Sequence, residues 1–199
     1  MENRGLTVEQ LARQKFRLRK ALEAKIDAHR CTPATRAYNL LFFGTDTNSI
    51  EVSPKLCFSC DEDRYSPNWY YEGSFRFRKH YFRTIGELKS SGEEFECATF
   101  LDNRPEVKYW VRNLERRPGS SFWLQTASDR FYPDFVAMLT DGRILVVEYK
   151  GEHLWSNDDS KEKRAVGELW AERSGGRCLF VMPKDTDWSA ITAALNFST

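Results

Sequence analysis

Two acidic residues and a lysine near the middle of the chain have the types and the spacing that metal-assisted chemistry requires. Asp134 follows a proline, and thirteen residues separate it from Glu148, with Lys150 two positions further on. Side chains two positions apart on a strand point to the same face, so Glu148 and Lys150 share a face. Crowded carboxylates repel each other unless a positive charge lies between them, and Mg²⁺ binds a few carboxylates plus waters. The pattern therefore predicts a metal site, although a surface hairpin that happens to carry three charges has the same pattern.

The segment that carries these residues predicts a β-hairpin. Runs rich in aliphatic and β-branched residues flank Asp141-Gly142, a dipeptide suited to a tight turn because both positions tolerate positive φ. The predicted hairpin returns Asp134, on its first strand, to a position beside Glu148 and Lys150. Two carboxylates and one ammonium then converge at one place.

The segments around the hairpin predict an α/β fold. Hydrophobic periodicity predicts a helix over 93–102, a strand over 107–114, a helix over 160–173, an apolar strand over 178–182 and a short helix over 187–195. With the hairpin in place, the order from residue 93 is helix, strand, strand, strand, helix, strand. The apolar strand at 178–182 indicates a buried position in the sheet.

Glu94, on the first of these predicted helices, is a further acidic candidate. It lies on the same helical face as Cys97, Ala98 and Leu101. A glutamate on a stripe of small and apolar residues is unusual for a purely solvated side chain and is consistent with a site. Favourable placement of an acid near a helix N-terminus explains the same position equally well.

Residues 1–64 are predicted to form a helical and β extension ahead of a domain at 65–199. A capping box at Thr7–Gln10 predicts a helix to about His29, and residues 50–60 predict one or two short strands. Basic residues crowd the middle of the helix, a pattern that favours a solvated face over a phosphate-tracking surface. Cys57 and Cys60 form a lone CxxC pair, for which buried thiols are favoured over structural zinc.

Aromatic and basic residues are interleaved between residues 65 and 83. Aromatic side chains stack on bases and basic ones pair with phosphates, so the segment is a candidate for nucleic-acid contact. The alternation Phe75-Arg76-Phe77-Arg78 also fits a half-buried strand, which is the favoured interpretation.

Composition narrows the class of protein. The chain has 199 residues, 41% hydrophobic and 30% charged, which is typical of one soluble domain with or without an extension. No apolar run approaches the roughly 20 residues that span a bilayer, and five scattered cysteines indicate reduced thiols, so we expect a cytoplasmic protein with no membrane partner. The net charge of +1 is low for a free-standing DNA binder, so either basic residues cluster locally or an attached component supplies the affinity.

The motif Pro133-Asp134 followed by Glu148-Tyr149-Lys150 resembles the signature of PD-(D/E)XK nucleases. Several further blocks resemble the carboxy-terminal region of DEAD/DEAH-box helicase proteins related to type III restriction subunits. These blocks are Tyr71-Glu72-Gly73, 77–81, 92–98, 110–115, 132–135, 148–151, 161–164 and 167–170. The resemblance covers roughly residues 65–182. The helicase motor lies outside it, so the resemblance implies an excised nuclease domain or a stand-alone relative.

The resemblance implies a restriction-endonuclease-like αβββαβ core, in which helices flank a central mixed sheet. It implies a metal-dependent DNA endonuclease of a helicase-linked restriction or anti-phage defence system. In that family the aspartate and glutamate hold Mg²⁺, for which Mn²⁺ substitutes, and the lysine serves the attacking water. Carried over, Asp134, Glu148, the Tyr149 carbonyl and Glu94 are the implied ligands, and Lys150 is catalytic alongside the acids.

The predicted partners are DNA and a helicase or translocase motor in the same or an associated chain. Nucleic-acid contact is assigned to Arg78, Lys79, Arg112, Asn113, Lys161 and Lys163. Two alternatives stay open: a non-catalytic DNA-binding or docking module of a helicase complex, and an RNA-directed nuclease.

Overall fold

The computed structural model describes residues 19–20, 61–117, 119–126, 129–150 and 158–196. The chain divides into two compact units, Met1–Glu51 and Val52–Thr199. In the first unit Arg19 and Lys20 are helical and exposed. The rest of the predicted 7–29 helix, the strands predicted at 50–60 and the Cys57–Cys60 pair lie outside the described residues. The predicted domain boundary after residue 64 stays a prediction.

The second unit is an α/β structure with a mixed sheet. Its helices are α1 (Glu93–Asn103), α2 (Asp158–Arg173) and α3 (Ser189–Asn196). Its strands are β1 (Val107–Arg112), β2 (Leu124–Gln125), β3 (Arg130–Phe131), β4 (Phe135–Leu139), β5 (Ile144–Val147) and β6 (Cys178–Val181). Four strands form one sheet in the order β1-β4-β5-β6, and β2 pairs with β3 in a separate ribbon. The first two pairings are antiparallel and β5 runs parallel to β6, so the predicted α/β class with a mixed sheet and flanking helices is confirmed.

The central hairpin forms as predicted, with β4 and β5 joined at Asp141-Gly142. Gly142 has φ 88°, a left-handed conformation that glycine adopts without a side-chain clash. The Leu139 amide donates to the Arg143 carbonyl at 2.8 Å and closes the turn. Phe135 pairs with Val147 at the open end of the hairpin, so Asp134 and Glu148 continue side by side beyond the paired strands.

One face of the sheet carries the main core. Trp110, Phe135 and Leu145 project from neighbouring strands and are fully buried, as the alternation of side chains along a strand requires. α1 contributes Cys97 and Leu101 to this core, and α3 contributes further apolar residues. These contacts fix α1, and therefore Glu94, relative to β1.

Helix α2 packs closely against β6. A Cβ atom added at Gly167 would lie only 2.4 Å from the Phe180 ring, so only glycine fits at this crossing. The close contact places the first half of α2, which carries the basic residues Lys161 and Lys163, beside the end of β5. None of the helices that the structure describes is long and apolar enough to cross a membrane.

The strand predicted at 75–78 is wrong, because these residues form no ladder. The amides of Arg78 and Lys79 donate instead to the carboxylate of Asp102, at distances between 2.8 and 3.1 Å. The aromatic side chains of Phe75 and Phe77 pack edge-on against each other and against Phe95. A buried acid therefore replaces the hydrogen bonds that a strand partner would supply.

Candidate functional site

The open end of the hairpin brings the predicted acid–acid–lysine set together. The Tyr149 amide donates to Asp134 Oδ2 at 2.7 Å, which ties the chain after β5 to the residue before β4. Lys150 Nζ lies 2.9 Å from Glu148 Oε1. The convergence that the spacing of Asp134, Glu148 and Lys150 predicted is therefore present, and the hairpin register produces it.

Glu148 is a buried carboxylate supported by two lysines. Its side chain is only 5% exposed, and Nζ of Lys163, on α2, lies 4.0 Å from the Oε1 atom that Lys150 also contacts. Burial raises the pKa of Glu148, and the negative charge of Asp134 adds to this effect, while the two lysines oppose it. Burial alone lowers the pKa of Lys150, but the attraction of Glu148 outweighs it and the pKa is raised, so Lys150 keeps its proton.

A second pair of acids is bridged by Arg112, at the end of β1. Its Nη1 donates to Asp134 Oδ1 at 2.8 Å and to the Asp134 carbonyl at 3.0 Å, and its Nη2 donates to Glu94 Oε2 at 3.0 Å. The Arg112 side chain is 11% exposed and lies 5.2 Å above the Phe135 ring. Glu94 therefore lies at the site, on α1, as predicted, and its contact there is with the guanidinium of Arg112.

The backbone of Arg112 is held as firmly as its side chain. The Tyr65 hydroxyl donates to the Arg112 carbonyl at 3.1 Å, and the Arg112 amide donates to His80 Nε2 at 3.2 Å. Burial lowers the pKa of Arg112, but Asp134 and Glu94 outweigh it and raise the pKa. Burial also raises the pKa of Glu94, against the opposing effect of Arg112. The guanidinium is thus a fixed positive charge between two carboxylates.

Sequence reasoning missed this position of Arg112, which it assigned to nucleic-acid contact. The signal was available in the alternation of β1, because Arg112 stands two positions after the core residue Trp110 and must share its face. That face is covered by α1, the helix that carries Glu94. Placing Trp110 in the core would have directed Arg112 toward the acids.

The other predicted nucleic-acid contacts do not form one continuous surface with Arg112. Lys163 lies in the site, paired with Asp159 at 3.0 Å, and Lys161 on the same helix is exposed. Arg78 and Lys79 contact Asn103 and the Arg104 carbonyl, at the opposite end of α1 from Glu94. Of these residues, only Lys163 flanks the carboxylates.

Asn113 points into the protein. Its amide nitrogen donates to the Phe122 and Pro133 carbonyls at 2.8 and 2.7 Å, and its oxygen accepts from the Phe122 amide at 2.9 Å. At 5% exposure it secures the loop that precedes Asp134. Contact between Asn113 and nucleic acid stays a prediction.

The chemistry of these residues fits a hard divalent cation, since Asp134 and Glu148 supply carboxylate oxygens and the carbonyl of Tyr149 directly follows Glu148. The oxygens have partners within the chain: Asp134 accepts from Arg112 and Tyr149, and Glu148 contacts Lys150. Within the described ranges, no three His, Cys, Asp or Glu side chains are grouped closely enough to hold a metal ion. A cation at this site therefore has to share or replace the positive side chains already there.

A cavity of about 410 Å³ lies apart from these acids, between α2, β6 and α3. Apolar side chains line most of it, together with Arg164 and Glu168. It includes none of the residues predicted for the site, so the polar chemistry and the apolar cavity are separate features of the fold.

Comparison of the chain with protein-family models, with curated proteins and with solved structures returned no match.

Proposed function

We propose that this chain is a Mg²⁺-dependent endonuclease that hydrolyses phosphodiester bonds in DNA. The observation that carries the proposal is the convergence of Asp134, Glu148 and Lys150 at the open end of one hairpin, with Lys150 and Glu148 in contact at 2.9 Å. An acid–acid–lysine set at this spacing is what the PD-(D/E)XK resemblance implies. Its arrangement on adjacent strand ends gives the motif a physical basis beyond sequence spacing.

Asp134 and Glu148 would hold the cation together with the Tyr149 carbonyl, and Glu94 would contribute directly or through water. When bound, the cation supplies Lewis-acid stabilisation of the phosphate and lowers the pKa of the attacking water. Mn²⁺ would substitute, because it also accepts carboxylate ligands. Glu148 is suited to a cation because its burial makes an uncompensated negative charge costly.

Lys150 would orient the attacking water and neutralise the charge that develops on the phosphate. Its side chain is 16% exposed, so the ammonium is partly shielded from solvent, where a positive charge acts more strongly than at an open surface. Lys163, at 4.0 Å from Glu148, places a second ammonium at the same site and would pair with a phosphate of the substrate. Glu148 contacts both lysines and raises the pKa of Lys150.

DNA would be delivered by a helicase or translocase motor, in a restriction or anti-phage defence system. The net charge of +1 supports this part of the proposal, because a chain with so little excess positive charge attracts DNA only weakly by itself. An RNA substrate is the competing possibility within the same chemistry, and parallel assays with RNA and DNA of the same sequence distinguish the two.

A non-catalytic docking module of a helicase complex is the second candidate, and one observation favours it. Arg112 already neutralises Glu94 and Asp134 through charge-assisted hydrogen bonds of 2.8 to 3.0 Å. In that interpretation the acids and Arg112 form a structural ion-pair network that joins α1, β1 and the hairpin, and no metal is required.

Plasmid cleavage tests the proposal directly. Supercoiled DNA is incubated with the full chain in Mg²⁺, in Mn²⁺ and in EDTA, and nicked and linear products are measured. Asp134→Asn and Lys150→Ala should each lower the rate by about a hundredfold or more. Asp141→Asn is the matched control, because it removes the same charge at the exposed turn of the same hairpin, where Asp141 pairs with Arg143 at 2.7 Å.

Metal-dependent cleavage that survives in Asp141→Asn and is lost in Asp134→Asn supports an active nuclease. Cleavage by Asp134→Asn at the wild-type rate would contradict the assignment. An inactive wild-type chain that also binds no Mn²⁺ in a calorimetric titration would instead favour the docking module.

A further inference from the structure

We propose that Arg112 is a built-in competitor of the metal, whose guanidinium occupies the Asp134 and Glu94 carboxylates and weakens divalent-cation binding at this site. The inference rests on the proposed function, since it concerns the same carboxylates. It adds a residue whose removal should improve metal binding, whereas removal of a ligand should abolish it.

The contacts of Arg112 place its charge on the carboxylate edge that a cation would use. Asp134 Oδ2 accepts the Tyr149 amide at 2.7 Å, and Oδ1 accepts Arg112 Nη1 at 2.8 Å. Both carboxylate oxygens of Asp134 therefore have donors. The Tyr149 amide is fixed by the backbone, so the Arg112 contact is the one that a side chain can release.

Arg112 also separates the acids of the site into two groups. Its Nη2 holds Glu94 Oε2 at 3.0 Å, while Glu148 contacts Lys150. The bond to Arg112 therefore occupies one of the two oxygens with which Glu94 could join Asp134 and Glu148 around a cation. Within the described residues, the three acids accordingly do not form a ready group of ligands.

The charge of Arg112 opposes a cation even without direct competition for an oxygen. The side chain is 11% exposed, and a buried positive charge is poorly screened by solvent. The Arg112 backbone and Nε are held by Tyr65, His80 and the Glu87 carbonyl, so the guanidinium is restrained close to the acids. Two opposing effects follow for a neutral residue at position 112: tighter metal binding, and a less stable metal-free protein because the acids repel.

Two measurements test this inference without an activity assay. They are calorimetric titration with Mn²⁺ in the absence of DNA, and thermal denaturation. The proteins are the full wild-type chain, Arg112→Gln, Arg112→Lys and the control Arg104→Gln. Arg104 pairs with Glu106 at 2.8 Å and with no candidate ligand, so its substitution makes the same change in net charge elsewhere. Arg112→Lys keeps one charge but lacks the planar fork that bridges two carboxylates.

We expect Arg112→Gln to bind Mn²⁺ about tenfold or more tightly than wild type. Arg112→Lys should fall between them, and Arg104→Gln should match wild type. Arg112→Gln should melt below wild type in EDTA and gain more in melting temperature from saturating Mn²⁺. An Arg112→Gln protein that folds only with Mn²⁺ supports the inference, because the cation then takes the place of the guanidinium.

Wild-type binding of Mn²⁺ with unchanged or weaker binding in both Arg112 variants overturns the inference and leaves the proposed nuclease intact. Should Arg112→Gln fail to fold with and without Mn²⁺, the affinity of Arg112→Lys decides by the same criterion. Absence of Mn²⁺ binding in wild type and in both Arg112 variants overturns the metal site and this inference together.

Discussion

Two buried acids in this chain, Asp102 and Glu148, have opposite kinds of partner. Asp102, at the end of α1, is fully buried and accepts hydrogen bonds from the Arg78 and Lys79 amides and from Trp110 Nε1 at 2.9 Å. Glu148, at 4% exposure, lies beside the flexible ammonium groups of Lys150 and Lys163. The partners of Asp102 are uncharged donors of the backbone and of a packed ring. The partners of Glu148 are the positively charged ends of two lysine side chains.

The environment of Asp102 is a packed aromatic cluster. Trp110 lies 5.2 Å from Phe77 and 4.7 Å from His80, ring to ring, and His80 Nδ1 lies 2.9 Å from the Phe82 carbonyl. We call Asp102, His80, Phe77 and Trp110 the Trp110 cluster. Its polar atoms contact the backbone or each other, so the cluster fixes the 77–82 segment against β1.

This difference distinguishes an acid with a structural role from an acid that can exchange its partners. An acid that accepts from backbone amides cannot change partners without unfolding the segment that carries them. An acid that is paired with lysine side chains exchanges a partner when a rotamer changes, which is what cation or substrate binding requires. Burial alone therefore does not distinguish Asp102 from Glu148, whereas the chemical type of their partners does.

The largest expected effect is the loss of stability in Asp102→Ala. Three donors lose their acceptor, namely the part-buried amides of Arg78 and Lys79 and the buried Nε1 of Trp110, and a fully buried donor left unsatisfied costs about 1–3 kcal/mol. We expect the free energy of unfolding to fall by roughly 3–5 kcal/mol, measured by urea denaturation. Asp63→Ala, at an exposed position, is the control and should change it by less than about 0.5 kcal/mol.

A loss below about 1 kcal/mol in Asp102→Ala would contradict the structural role of Asp102. It would mean that the 77–82 segment is held mainly by its aromatic packing, and the contrast with Glu148 would have no energetic basis.

Local patterns were sufficient to predict most of the elements and the central site. The hairpin at Asp141-Gly142 depends on turn chemistry within a few residues, and its register alone places Asp134 beside Glu148. The helix at Glu93–Asn103 was also predicted from local sequence. The local pattern put Glu94 on the same face as Cys97, Ala98 and Leu101, but it left a site role and a helix-terminus role equally open.

Contacts between distant segments could not be predicted in this way. The alternation at 75–78 indicates a strand, but the Asp102 carboxylate, 23 and 24 residues away, takes the amides that a strand would pair. Arg112 has a charge that suits DNA, and only the position of α1 over β1 directs it to Glu94 instead. In both cases a long-range ionic or hydrogen-bonded partner overrides the local preference.

The second prediction concerns the pH dependence that His80 gives to the Trp110 cluster. Burial lowers the pKa of His80 from 6.5 to about 4, although the Phe82 carbonyl and Asp102 oppose the shift. Between these values the unfolded chain binds a proton that the folded chain does not, so stability is complete above pH 6.5 and is lost as the pH falls toward 4. The loss attributable to His80 is about 3 kcal/mol.

Urea denaturation of wild type and His80→Gln at several pH values between 7 and 4.5 measures the contribution of His80 to the pH dependence of stability. The variant has no titrating group at this position, so its stability should fall less steeply with pH than that of wild type. The histidine ring signals in NMR provide a direct check, because the His80 signal should not titrate near pH 6.5. If the free energy of unfolding fell equally steeply with pH in the two proteins, His80 would not be held neutral in the fold. The Trp110 cluster would then tolerate a positive charge, as the surroundings of Glu148 do.

The smallest effect is expected for Glu148→Gln in EDTA. The amide keeps the size of the side chain and removes the cost of burying a charge, while Asp134 still balances the neighbouring lysines. Removing one partner of a buried ion pair is costly when the other charge is left uncompensated. Here Lys150 still lies in the field of Asp134 and Lys163 keeps its pair with Asp159 at 3.0 Å, so we expect the free energy of unfolding to change by less than about 1 kcal/mol. Glu168→Gln, at an exposed position on α2, is the control for the change in net charge.

Mn²⁺ should separate wild type from Glu148→Gln, which are expected to have similar stability in EDTA. A ligand that binds only the folded state stabilises it by an amount that grows with the logarithm of the ligand concentration divided by Kd. Wild type and Glu168→Gln should therefore gain stability from Mn²⁺, and Glu148→Gln should gain little. A loss of several kcal/mol in Glu148→Gln in EDTA would instead place Glu148 with Asp102 as a structural acid. The distinction between an acid held by neutral backbone donors and an acid held by lysine side chains would then fail at Glu148, the residue on which the proposed chemistry depends most.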